Sequence, residues 1–172
     1  ATALGASEFN IQVSGNTGYL SDPGLLLPRK NMPVIRLIID TTMMSVDELT
    51  RRLREAVIAF DLTDYDEFVL AFEWLGEFDY DLLKRFCDAI VAYVEPDTTR
   101  ANKPLYLLFD RDLAQSVGRI LTTEYQIERP LLVLDGLRFK EFEFVDLGRI
   151  RLPSRTVPVT VKSLIFQSHG MS

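Results

Sequence analysis

Four acidic side chains stand where apolar runs end, and these are the first residues whose types and spacing could do chemistry. They are Asp40, Glu73, Asp110 and Asp135. Ligands of open α/β sheets bind beyond the carboxyl ends of parallel strands, and carboxylates gathered there could hold Mg²⁺ through oxygen ligands. Each acid also suits a helix cap or a turn, which is the favoured interpretation. Asp110 is the exception, because Asp112 already supplies a cap; Asp110 is therefore a candidate contact for a ligand or a partner.

Two stretches of small and polar residues could also approach a ligand. Gly5, Ala6 and Ser7 are predicted to form a turn after a short strand that ends at Gly5, and such a turn lets a ligand come close to the backbone. The stretch is neither a P-loop nor a dinucleotide-binding fingerprint. Residues 14–17 (Ser-Gly-Asn-Thr) could cradle a phosphate, although an ordinary hairpin turn explains them equally well.

The composition argues against several other chemistries. Cys87 is the only cysteine and His169 the only histidine, so an intrachain disulfide, a cysteine metal cage and histidine-based catalysis find no support. Cys87 falls in the apolar pattern of a helix and is expected in the core. Trp74, Phe78 and Tyr80 could form an exposed aromatic surface, but core packing beside a strand is the favoured interpretation.

Charge and hydropathy limit the partners. The net charge of −6 disfavours binding to nucleic acid, and the only tight basic group, Arg51, Arg52 and Arg54, is expected on a solvated helix face. The chain contains no apolar run of about 20 residues, the length that spans a bilayer, and no secretory signal. A cytoplasmic location is expected, without membrane attachment.

Hydrophobic periodicity predicts alternating strands and helices that would position these residues. Apolar runs predict strands over 34–39, 68–72, 105–109 and 131–134, and later β-rich patterns predict two more over 139–145 and 157–166. Helix starts are predicted at Ser45 with Glu48, at Asp79 or Asp81, and at Asp112, which with Gln115 forms a capping box for a helix that runs to Leu121.

This alternation predicts an α/β fold: a three-layer module with a mixed, mainly parallel sheet flanked by helices and joined by right-handed crossovers. Residues 34–172 are expected to form this α/β domain. Residues 1–33 are rich in Gly, Ser, Asn and Pro, show no obvious helix, and are expected to belong to the edge of another lobe. Since the chain begins at Ala1 in an apolar-leaning segment, it is expected to be a fragment of a longer protein.

A series of motifs in fixed order resembles the C-terminal part of the ethanolamine ammonia-lyase reactivating factors, the EutA family. The stretches read GASEFNIQVSGNT, LLPRKNMPV, KPLYLLFDRDLAQSVGRIL, LLVLDGLRFKEFEFVDLGRI and VPVTVKSLIF. The most specific parts are Phe109-Asp110 with the following helix, Asp135-Gly136 with residues 146–148, and residues 161–164.

The resemblance implies an ATP-dependent, chaperone-like reactivase that exchanges damaged cobalamin for intact cofactor on adenosylcobalamin-dependent ethanolamine ammonia-lyase. The family is related to the actin and heat-shock-protein-70 ATPases, which implies an actin-like ATPase subdomain, with residues 1–33 at the edge of the nucleotide-binding lobe. Gly5, Ala6 and Ser7 match the small-residue position beside the adenosine of the nucleotide, although Ser7 departs from the usual glycine. ATP and Mg²⁺ are implied for the full-length protein.

The fragment alone is expected neither to bind a cofactor nor to hydrolyse ATP, because no phosphate-binding motif is found in it. The resemblance implies ethanolamine ammonia-lyase as the partner and a cytoplasmic location that extends to a bacterial microcompartment. Two alternatives stay open: a non-catalytic α/β module that docks on the lyase or on a sister subunit, and a free-standing Mg²⁺-dependent enzyme that uses Asp110 and its neighbours.

Overall fold

The structure is a computed structural model that describes residues 2–13, 18–62, 67–96 and 103–166. The strands are β1 (Thr2–Gln12), β2 (Gly18–Leu20), β3 (Arg29–Asp40), β4 (Val69–Leu75), β5 (Leu105–Phe109), β6 (Leu131–Leu134), β7 (Glu143–Leu147) and β8 (Thr156–Phe166). The helices are α1 (Pro23–Leu26), α2 (Val46–Phe60), α3 (Tyr80–Val94) and α4 (Ala114–Arg119). A 3₁₀ turn (Thr41–Met43) follows β3, and a π-helical turn (Ile120–Glu124) extends α4.

All eight strands join one sheet in the order β1-β8-β7-β3-β4-β5-β6-β2. Strands β3, β4, β5 and β6 are mutually parallel, as predicted from the alternation of strands and helices. The other pairings are antiparallel, and within the described ranges they outnumber the parallel ones by four to three. The predicted mixed sheet is therefore confirmed, but "mainly parallel" is wrong.

The three longer helices pack on one face of the parallel strands. Each crossover from β3 to β6 moves one position in the same direction, and right-handed crossovers of this kind place every helix on the same side. Beneath them, the ring of Phe72 lies 4.8 Å from Phe86 in an edge-to-face contact and 5.4 Å from Phe109 in a stacked one. These aromatic contacts join β4, α3 and β5 in a single core.

The second face of the parallel strands is covered by the rest of the sheet and not by a helix layer, which corrects the expectation of helices flanking both faces. The sheet curls at β3, whose first half pairs with β7 and whose second half pairs with β4. Apolar residues of β7 and β8, such as Val145 and Val159, thereby join one cluster with Val69 and Tyr106. The hydroxyl of Tyr106 donates to the carbonyl of Leu26 in α1 at 2.6 Å.

The N-terminal residues belong to this sheet. Strand β1 pairs with β8 over its whole length, from Thr2 opposite Phe166 to Gln12 opposite Thr156, and β2 pairs with β6. The predicted end of the first strand at Gly5 is therefore wrong, because β8 supplies a partner for seven further residues. The expected absence of a helix is also wrong, since Asp22 caps the short α1. Whether residues 1–33 border a nucleotide-binding lobe stays a prediction.

Two of the predicted helix starts are confirmed in atomic detail. The Ser45 hydroxyl accepts the N–H of Glu48 at 3.1 Å at the start of α2. The Asp79 carboxylate accepts the N–H of Leu82 at 2.9 Å at the start of α3. Both caps satisfy an otherwise unpaired donor of the first helical turn, as the local sequence predicts.

Candidate functional site

The carboxyl edge of the parallel strands carries the four acids singled out from the sequence, but it does not gather them into one site. Asp40 ends β3 and accepts hydrogen bonds from the N–H (3.1 Å) and the hydroxyl (2.8 Å) of Thr42. It therefore caps the 3₁₀ turn, the structural role favoured for it. Glu73, Asp110 and Asp135 lie near the ends of the adjacent strands β4, β5 and β6.

Asp110 is held in a contact that joins three elements. One carboxylate oxygen accepts the N–H of Trp74 at 2.9 Å, and only 6% of the side chain is exposed. The other oxygen lies 3.6 Å from the guanidinium of Arg138, which is 71% exposed and also lies 3.7 Å from the carboxylate of Glu73. Arg138 thus bridges β4 and β5 from the segment that follows β6. A ligand or partner contact at Asp110 stays a prediction.

Asp135 takes the capping role that the sequence predicts for Asp112. One oxygen of Asp135 accepts the backbone N–H groups of Leu113 at 3.0 Å and Ala114 at 2.8 Å, where α4 begins. The predicted capping box of Asp112 with Gln115 is wrong, because the N-cap position of α4 is Leu113, and the carboxylate of Asp135, which follows β6, accepts the first two N–H groups of the helix start. The side-chain oxygen of Gln115 is buried and has no hydrogen-bond partner among the described residues.

The environment of Asp135 disfavours its charge. Burial raises the pKa of this carboxyl to about 7, against the opposing effect of the two backbone N–H groups. The negative charge of the neighbouring Asp112 raises the pKa further. The second oxygen of Asp135 is buried and has no partner among the described residues. Asp135 therefore titrates near neutral pH while it holds the start of α4.

Of the three aromatic residues singled out from the sequence, Phe78 packs against Arg111, a residue that carries no periodic signal in the sequence. Its guanidinium donates to the carbonyl of Gly76 at 3.2 Å and lies 5.3 Å from the ring centre of Phe78. Trp74 is buried, which confirms its predicted core role. Tyr80 is half exposed on the surface of α3. The aromatic residues therefore divide between core and surface.

The acids offer no geometric support for a magnesium-dependent enzyme. Within the part of the chain that the structure describes, no group of three or more His, Cys, Asp or Glu side chains is placed to hold a metal ion. Each strand-end acid is used in a cap or an ion pair. Cys87 is buried as predicted, and burial raises the pKa of its thiol. His169 and residues 14–17 lie outside the described residues.

Gly5, Ala6 and Ser7 lie inside β1 and not in a turn, which corrects the expected local structure. Ala6 and Ser7 are exposed, and the three residues face Ser163, Lys162 and Val161 across the strand pair. Small side chains on an edge strand leave the backbone open, which suits contact with a flat base or a ribose.

The cation nearest to this stretch is already engaged. Lys162 stands opposite Ala6, and its ammonium group forms an ion pair with Asp146 at 2.8 Å and donates to Asn31. Contact of Gly5, Ala6 and Ser7 with a nucleotide stays a prediction. None of the described helices is long and apolar enough to cross a bilayer.

Comparison with known proteins gives one consistent answer. The profile of the family described as ethanolamine utilisation protein EutA matches residues 1–167. The ethanolamine ammonia-lyase reactivase EutA of Escherichia coli (strain K12) is 31% identical over 169 residues, which cover 98% of this chain and 34% of that protein. The protein of the same name from Salmonella typhimurium is 30% identical over the same share.

The chain thus spans about a third of the length of these relatives. No solved structure matches it. The profile covers nearly every residue, including the strand-end acids and the stretch at Gly5. The chain therefore belongs to the ethanolamine utilisation protein EutA family.

Proposed function

We propose that this chain is the C-terminal region of a reactivating factor for adenosylcobalamin-dependent ethanolamine ammonia-lyase. The observation that carries the proposal is the family match over residues 1–167, together with two relatives named as reactivases of that lyase. The full-length protein would exchange damaged cobalamin for intact cofactor, and its partner would be the lyase. It would act in the cytoplasm, where the lyase resides, including at a bacterial microcompartment.

Within such a reactivase, Gly5, Ala6 and Ser7 would form one wall of a nucleotide site. Their exposed backbone on an edge strand supports contact with the adenosine of ATP. ATP with Mg²⁺ would supply the free energy of its hydrolysis to the exchange. Its phosphates would be held by other parts of the polypeptide, since Lys162 is engaged by Asp146. The actin-like superfamily relationship belongs to this proposal.

The interactions of the strand-end acids favour a second role. In this role the chain is a non-catalytic module that docks on the lyase or a sister subunit. Asp40 and Asp135 cap helical turns, and Asp110 joins Glu73 through Arg138. Acids used in this way position the backbone and leave no free carboxylate pair for chemistry. The two roles differ in whether Gly5 touches a nucleotide.

Substitution of Gly5 by tryptophan in the full-length polypeptide separates them. The indole would cover the exposed backbone, and we expect ATP affinity measured by calorimetry to fall at least about tenfold, or roughly 1.4 kcal/mol. Glu8→Trp is the matched control, since residue 8 is exposed on the opposite face of the same strand. Both variants should keep the wild-type melting temperature within a few degrees, because tryptophan suits strands.

Unchanged ATP affinity in a folded Gly5→Trp protein would favour the docking module over the nucleotide wall. The reactivase proposal itself is tested by adding the wild-type polypeptide, ATP and fresh adenosylcobalamin to a lyase inactivated by damaged cobalamin. We expect recovery of ammonia release. No recovery with an intact, ATP-binding polypeptide would refute the proposal.

A further inference from the structure

The second half of β3 has an open edge. From Arg29 to Pro33 the strand pairs with β7, and from Val34 to Asp40 it pairs with β4. Beyond Pro33, no described strand pairs with the edge of β3 that faces away from β4. The guanidinium of Arg52 donates to the carbonyl of Ile38 at 2.8 Å, which shows that backbone groups point outward there. An edge of this kind is a template for another strand.

A groove runs along this open edge, with β3 as one wall and α2 as the other. Its volume is about 520 Å³, and it adjoins a second hollow of about 230 Å³ beside Asp40 and Ser45. The side chain of Ile38 is 37% exposed there and offers an apolar contact. Its lining includes Arg36, Ile38, Arg51 and Arg52, together with Glu48 and Glu55. The groove is long enough for an extended peptide of about five residues, at roughly 3.3 Å per residue of strand.

Among the described residues that line the groove, one arginine has a buried nitrogen without a hydrogen-bond partner. Arg51 pairs with Glu48 and Glu55 on its own helix and is exposed, as predicted for this basic group. Arg52 is half-buried and bound to the carbonyl of Ile38, which the sequence does not predict. The Nε atom of Arg36 is buried and has no hydrogen-bond partner among the described residues. Buried donors in native proteins are nearly always paired, so this one calls for an acceptor.

We propose that this groove binds an extended segment of a partner protein, which adds to the open edge of β3 as a strand and places a carboxylate on Arg36. Strand addition at a free sheet edge provides affinity through main-chain hydrogen bonds and selectivity through alternate side chains. A carboxylate is the acceptor that a guanidinium binds best. The lining holds three arginines and two glutamates, so this surface is locally positive although the whole chain carries a net charge of −6, and the local charge favours an acidic segment here.

A second copy of the chain is the weaker occupant. A two-fold pairing of β3 with its copy would bring the two Arg36 side chains onto the same interface, where like charges repel. The proposal does not depend on the reactivase function, because it requires neither a nucleotide nor cobalamin. Loss of lyase reactivation and loss of peptide binding are therefore separate outcomes.

The probe is a fluorescein-labelled pentapeptide, Thr-Val-Glu-Val-Thr, followed by fluorescence polarisation on the 172-residue chain and on the full polypeptide that contains it. We expect saturable binding that weakens about tenfold when the peptide Glu is replaced by Gln, because a charge-assisted hydrogen bond is lost. N-methylation of alternate peptide amides should abolish binding. Arg36→Met should remove the preference for Glu over Gln.

Arg54→Met is the matched control. Arg54 lies on α2, the helix that forms the other wall of the groove, but it donates to the carbonyl of Ala92, outside the groove. This variant should retain the wild-type affinity. Arg36→Lys keeps the charge and should keep part of the preference for Glu, which makes the test decisive even where Arg36→Met does not fold.

Equal affinity for the Glu and Gln peptides would overturn the proposal, as would binding that tolerates N-methylation. No saturable binding to the wild-type chain at about 1 mM peptide, the weak limit of specific recognition, would do the same. Binding by the 172-residue chain but not by the full polypeptide would assign the groove to a segment of the same protein and overturn the assignment to a partner.

Discussion

Replacement of Asp135 by asparagine tests whether a buried carboxyl near its titration point controls the stability of this fold. The amide oxygen of asparagine can accept the N–H groups of Leu113 and Ala114, as the carboxylate oxygen does now. Its NH₂ group can donate to Asp112, which the charged carboxylate of Asp135 cannot. The substitution therefore keeps the cap of α4 and removes the titration.

The magnitude follows from the pKa. The pKa of Asp135 is 3.8 in an unperturbed chain and about 7 in the fold, so the folded state binds the proton more tightly than the unfolded state. Its free energy of unfolding then falls as the pH rises from 4 to 7, and the loss is complete above 7. Between pH 5 and pH 8.5 the titration of Asp135 lowers the free energy of unfolding by at most about 3 kcal/mol, since each pKa unit is worth roughly 1.4 kcal/mol.

The assay is thermal and urea unfolding of the wild type and the variant at pH 5 and pH 8.5, followed by circular dichroism. We expect the stability of Asp135→Asn relative to the wild type to increase by up to about 3 kcal/mol between the two pH values. For a chain of this length that corresponds to about 6 to 12 °C in melting temperature.

Asp146→Asn is the matched control. Burial acts to raise the pKa of Asp146, but hydrogen bonds from Lys162 and from the N–H of Asn31 outweigh it and hold the pKa below its usual value. The stability that Asp146 adds is present above the unfolded pKa and lost as the pH falls below it, so this variant should follow the wild-type slope between pH 5 and pH 8.5. The reasoning would be refuted if the free energy of unfolding of Asp135→Asn had the same pH dependence as that of the wild type. It would also be refuted if the substitution destabilised the protein more at pH 8.5 than at pH 5.

Two further substitutions test the packing of each face. Gly118→Ala should lower the free energy of unfolding by about 1 to 3 kcal/mol, because the added Cβ would lie 2.4 Å from the ring of Tyr19. In the control Gly24→Ala, the added Cβ meets nothing nearer than 3.6 Å. Equal melting temperatures for the two variants would contradict the contact. Tyr106→Phe should lower the free energy of unfolding, measured with urea, by about 1 to 2 kcal/mol, because the carbonyl of Leu26 loses its donor. An unchanged free energy of unfolding would show that water replaces the hydroxyl.

Local features of the fold were predictable from the sequence. The run over 105–109 is strand β5 and the run over 131–134 is strand β6, with the expected bounds. The caps at Ser45 and Asp79 also lie where predicted. Each of these features depends on residues that lie close together in the sequence, so a periodic pattern or a short motif is enough to predict it.

Features that depend on distant contacts were not predictable. Asp112 has the spacing of a cap, but the helix begins one residue later, with Leu113 at the N-cap, and the N–H of Leu113 donates to Asp135, 22 residues away. The stretch at Gly5 reads as a turn, yet β8 pairs with it at the other end of the chain. The sequence also predicts β7 from residue 139, whereas the strand begins at Glu143. In each case a partner remote in sequence decides the conformation.

The candidate site shows the same division. Asp110 was found from its position after a strand, but its partners Trp74 and Arg138 lie on other elements. The sequence does not single out Arg36, because a lone arginine in a strand belongs to no motif. Only the curl of the sheet, which withdraws β7 from the second half of β3, exposes the edge beside it.

The pairing of β1 with β8 also has a mechanical consequence. Thr2 stands directly opposite Phe166, so the first residue of β1 and the last residue of β8 lie within about 5 Å of each other, the spacing of antiparallel neighbours. Any polypeptide attached at either end would be joined to the module through this one two-stranded stem. A force that pulls the two strand ends apart would act on the β1–β8 pairs one after another, beginning with Thr2 and Phe166.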